Sequence, residues 1–132
     1  MKLYEELSNF SYEIFKNYGE IKALITPLKN EEFFRRLVFS RLYYSLFHKY
    51  LEEDSSLRNS TVKIHKAIKE KLKHSNNEKF YQLFVKLYNL RIWADYKYEY
   101  DDKAKNVNLN KILYDVHKLI KSKLKIENIY QN

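Results

Sequence analysis

Arginines, histidines and an aspartate recur in this chain at spacings that suit one face of a helix. In "RLYYSLFH", Arg41 and His48 stand seven positions apart, two helical turns, so both project from the same side. Tyr44 lies between them. In "RIWADY", Arg91 and Asp95 are four apart, the spacing of a local ion pair, and Tyr96 follows. His65 stands on the stripe of Ile68 and Leu72 in a third stretch, "VKIHKAI". An imidazole moves protons near neutral pH, and a guanidinium grips phosphate or carboxylate through paired N–H groups. Such a set can bind an anion or do acid–base chemistry on one. The alternative is a buried Arg–Asp network that fixes helix register, because a charge on a core stripe is costly unless paired.

The elements that must carry these residues follow from composition. Of 132 residues, 45% are hydrophobic, enough for one domain with a real core spanning 1–132. One Gly and one Pro leave little material for hairpins, so the chain reads as all-α. The absence of cysteine excludes disulfides and thiolate metal sites. Net charge is +8, which suits RNA, DNA or an acidic protein, or simply a solvated lysine-rich surface. The start meets Glu5 and Glu6 instead of a signal-peptide apolar block, and the longest apolar run contains Arg41. A soluble cytoplasmic protein with no membrane contact is expected.

Leu3, Leu7, Phe10 and Ile14 predict an amphipathic first helix ending near Gly19. Asn30 offers an N-cap for a second helix to about Glu53, apolar on several sides as a central helix should be. Its stripe Phe34, Leu37, Arg41, Tyr44 and His48 is read as inward. Ser60 or Thr61 caps a third helix through His74, and Asn76 or Asn77 a fourth with Phe80, Phe84, Leu87, Arg91 and Ala94 inside. "YEYDDKAKNVN" reads as a loop, and Asn108 or Asn110 starts a last helix with Ile112, Val116 and Ile120 inside. The expected architecture is a bundle of four to five helices.

Three motifs in order, "RLYYSLFH", His65-Lys66 and "RIWADY", resemble the small free-standing prokaryotic branch of the HEPN family over about residues 35 to 100. The resemblance implies an up-and-down helical bundle, a homodimer, and a toxin–antitoxin or defence role beside a nucleotidyltransferase-type partner. Active members are metal-independent endoribonucleases, and others are non-catalytic RNA- or nucleotide-binding modules. Here Arg41 and His48 sit on the second helix, whereas many nuclease members carry the pair near the end of the fourth. At that place this chain has Arg91 and, five residues on, Tyr96.

On the nuclease reading His48 is the general acid or base, and Arg41 or Arg91 stabilises charge on the phosphoryl oxygens. Asp95 orients an arginine, Tyr44 or Tyr96 hydrogen-bonds phosphate, and His65 joins the substrate-binding group. No cofactor is implied and no metal site is expected, since His48 and His65 lack a matching carboxylate and "YDDK" is only a short acidic loop.

Overall fold

A computed structural model describes residues 2–17, 20, 31–58, 63–97 and 102–121. Among these residues the chain is all-helical. The elements are α1 (Leu3–Lys16), α2 (Glu31–Glu53), a 3-10 turn (Ser55–Leu57), α3 (Ile64–Lys73), α4 (Glu78–Tyr96), a single-turn α5 (Asp102–Lys105) and α6 (Leu109–Lys121). The five longer helices make the expected all-α bundle.

Its axis is α2, which packs on α1, α3, α4 and α6. Val38, Phe39, Leu42, Tyr43, Leu46 and Tyr50 on this helix are almost wholly buried, each contributing roughly 1.5–3 kcal/mol by leaving water. Neighbours on several sides explain why the helix lacks a clean polar face. The fully buried charge on α2 is Lys49, which lies 2.8 Å from Glu53 and 5.2 Å from the Tyr4 ring. The stripe of Leu37, Arg41, Tyr44 and His48 is only half-buried, so these polar residues ride the margin of the core and not its centre.

The first helix departs from expectation in its facing. Leu3 and Phe10 are about half exposed, while Ser8, Ser11 and Ile14 are buried. Small serines let α1 approach its neighbours closely: Ser45 Oγ donates to the Tyr4 carbonyl at 2.7 Å, and Ser8 Oγ lies 3.1 Å from Nδ1 of His117 on α6. The helix ends at Lys16, with Asn17 Nδ2 donating to the Glu13 carbonyl at 2.8 Å, before the expected Gly19.

Of the expected caps, Asn108 Oδ1 accepts from the Lys111 N–H at 3.1 Å. Asn77 takes the N-cap position of α4 without a side-chain capping bond. Asn30, Ser60 and Thr61 lie outside the described residues. The segment read as a loop contains α5. Its Ala104 is buried, and Arg35 Nη1 donates to the carbonyls of Ala104 and Val107 at 3.2 and 2.7 Å. Long-range packing and one guanidinium thus build a turn that local pattern did not announce.

Candidate functional site

Helices α2 and α4 pack side by side, which brings the two expected motifs together. Arg91 Nε donates to Asp95 Oδ2 at 3.2 Å, so the local pair forms as its spacing predicts. Arg91 Nη2 donates to the Tyr96 hydroxyl at 3.3 Å. Arg41 does not share the carboxylate directly. Its Nη2 donates to Ser40 Oγ at 3.1 Å, and Ser40 in turn makes a long 3.5 Å contact with Asp95 Oδ2. Ser40, almost wholly buried, is therefore the relay that residue spacing did not reveal.

Two tyrosines form the hub. The Tyr44 ring centre lies 5.7 Å from the Arg41 guanidinium and 5.2 Å from that of Arg91. Tyr43 lies beneath Arg91 at 5.4 Å, and Tyr96 flanks it at 5.5 Å. Two guanidiniums thus meet one aromatic ring, and Asp95 pairs directly with Arg91 alone. Such a ring is favourable for cations, but it leaves excess positive charge. Arg41 Nε is buried without a hydrogen-bond partner. Nη1 of either arginine makes no hydrogen bond among the described residues.

His48 reaches the same hub by ring contact alone, 6.3 Å from Tyr44 and 5.2 Å from Phe47. Burial holds its pKa below the ordinary histidine value, so the neutral imidazole prevails at pH 7. Two helical turns separate it from Arg41, roughly 10 Å along the axis. An extended ligand across Tyr44 is needed to touch both.

His65 stands on α3, its ring 4.8 Å from Tyr88, which itself lies 5.8 Å from Tyr43. Its pKa is lowered by burial and then by the Arg91 charge. Around Tyr44 the structure thus brings Arg41, His48 and Arg91, with Asp95 and Tyr96 attached through Arg91 and His65 through Tyr88 and Tyr43. Tyr88 had a legible signal, since Phe84, Tyr88, Arg91 and Asp95 recur at steps of four, three and four. Ser40 had none. Among the described residues no three histidine or carboxylate side chains converge as a metal site would require. No helix there is long and apolar enough to cross a membrane.

The Ser8–His117 pair has the form of a nucleophile beside a base. Ser8 is 1% exposed, so the bond ties α1 to α6 and offers no access to a substrate. No family model matches the chain, and neither a curated protein nor a solved structure matches it significantly.

Proposed function

We propose that the chain is an HEPN-type endoribonuclease that cuts RNA without a metal ion. The observation supporting this most is the meeting of Arg41 and Arg91 over one Tyr44 ring, with His48 against the same ring. A phosphodiester laid across Tyr44 would take charge-assisted hydrogen bonds from the uncommitted guanidinium N–H groups. Neutral His48 accepts the proton of a ribose 2′-hydroxyl as its oxygen attacks the adjacent phosphorus. The P–O5′ bond breaks, the 5′-oxygen takes a proton from solvent water, and the products are a 2′,3′-cyclic phosphate and a free 5′-hydroxyl. Arg41 and Arg91 offset the charge that gathers on the phosphoryl oxygens. Asp95 holds Arg91 through Nε, and Nη1 is left uncommitted among the described residues.

The test incubates wild type and His48→Ala with mixed-sequence single-stranded RNA in EDTA and maps the product ends. Cyclic phosphates from wild type, with cleavage in the variant reduced about 10²-fold or more, support the reading. Equal cleavage by both proteins, or none by well-folded wild type, would overturn it.

A second reading is a non-catalytic RNA- or nucleotide-binding module, which would also suit docking to a nucleotidyltransferase. It is favoured by His48 making ring contacts but no hydrogen bond among the described residues. On that reading RNA binding survives His48→Ala and no product forms.

A further inference from the structure

Beside the arginine site, α3 and α4 leave an open groove of about 390 Å³. Lys63, His65, Lys66 and Lys69 line it on one side, with Phe84 and Tyr88 among the α4 residues on the other. The three lysines are exposed, Lys63 at the N-cap of α3 and Lys66 and Lys69 on the helix itself, and like charges this close repel. Among the described residues no carboxylate lines this groove, so none of them offsets that repulsion from within it.

The groove neighbours the arginine hub through Tyr88. Tyr88 stands one turn before Arg91 on the same stripe of α4, and its ring touches both His65 and Tyr43. Burial, and then the nearby Arg91 charge, lowers the pKa of His65.

The groove between α4 and α6 is a useful contrast. Its volume is about 550 Å³, and it carries Lys79, Lys86, Lys111 and Lys118. Asp115 stands among those lysines, its apolar lining is Leu83, Ile112 and Leu119, and among the described residues no aromatic ring lines it. Lysines alone do not distinguish the two grooves. The combination of cations, stackable rings and no carboxylate belongs to the α3–α4 groove, and it is the combination that single-stranded nucleic acid uses.

We infer that the α3–α4 groove holds the single-stranded RNA extending from the Arg41–Arg91 site, with bases against Tyr88 and His65 and phosphates on Lys63, Lys66 and Lys69. This rests on RNA being the ligand of the neighbouring site.

A 2′-O-methyl uridine dodecamer, which lacks the attacking hydroxyl and cannot be cut, is the probe. Its binding is followed by fluorescence anisotropy between 50 and 200 mM salt, over which phosphate contacts are lost. Lys66→Ala with Lys69→Ala should weaken binding and make the log–log salt slope shallower by about 1.4, or 0.7 per phosphate. Lys79→Ala with Lys118→Ala removes the same charge from the α4–α6 groove and should leave the slope as in wild type. Tyr88→Leu should weaken binding about tenfold through lost stacking, with a thermal melt confirming that the bundle stands.

Equal slope changes in the two lysine pairs would mean diffuse charge attraction and would sink the groove. So would no change in either pair, or competition by a twelve-residue polyglutamate as strong as by RNA, which would point to an acidic protein segment. Wild type that binds the dodecamer but cuts no RNA overturns the nuclease and leaves these arms intact. Wild type that does not bind it overturns both.

Discussion

The acid–base character of the site lies in single residues. His48 is kept below the ordinary histidine pKa by burial, and His65 by burial and then Arg91. Neither is suited to hold a proton at neutral pH, so on the proposed mechanism the required form of His48 is the base. The rate of RNA cleavage should therefore rise with pH, pass a midpoint below about 6.5, and stay level to about pH 8. A pH–rate profile that instead fell between pH 6.5 and 8 would show that a protonated imidazole is needed. Arg91 and Asp95 were readable as a pair because four-residue spacing on a helix fixes their proximity without reference to the rest of the fold. The link to Arg41 through Ser40 was not readable, since it depends on which face α2 turns toward α4.

At the scale of elements, the site depends on the C-terminal end of α4, where Arg91, Asp95 and Tyr96 project. That end is held by Arg36 of α2. Its Nη1 donates to the carbonyls of Trp93, Ala94 and Lys97 at 2.8, 3.2 and 2.6 Å. Its guanidinium stacks 4.1 Å over Trp93, and Glu32 pairs with it at 2.7 Å. Helix C-termini leave carbonyls without intrahelical partners, and here one side chain from another helix serves them. Arg36→Ala should cost about 2 kcal/mol in urea unfolding, the value of charge-assisted hydrogen bonds. Arg36→Lys should recover only part, because one ammonium cannot reproduce the planar fork. A loss below about 0.5 kcal/mol in the alanine variant would show that the α4 end stands unaided. Nothing in the spacing of "FFRRL" distinguishes Arg35 and Arg36 from solvated cations, and their roles come from carbonyls 57 to 72 residues away.

For the whole molecule, three half-buried histidines set the response to acid. His48, His65 and His117 are all lowered, each first by burial. The folded state thus binds these protons less tightly than the unfolded chain. Their contribution to stability is full above about pH 6.5 and is lost as pH falls below it. Asp54 acts lower on the scale. Burial raises its pKa, but hydrogen bonds from Ser56 and Lys71 outweigh that and hold it below 3.8. The melting temperature should therefore drop between pH 7.5 and 5.5, by on the order of 3 °C per kcal/mol lost. A melt that is flat or rises across that window would mean the imidazoles are not desolvated as described.

What the sequence determined by itself was local or compositional. Scarce glycine and proline, with apolar residues at helical spacing, specified an all-α bundle and the spans of most of its helices. Spacing likewise specified the Arg91–Asp95 pair. Tertiary structure decided what periodicity leaves degenerate: that α1 buries Ser8 and Ser11 and leaves Leu3 and Phe10 half exposed, that Lys49 and not Arg41 is the buried cation of α2, and that residues 102–105 form a helical turn. The physical reason is common to all three. A helix fixes which residues share a face, but only its neighbours, by how closely they approach and which polar groups they offer, decide which face turns inward.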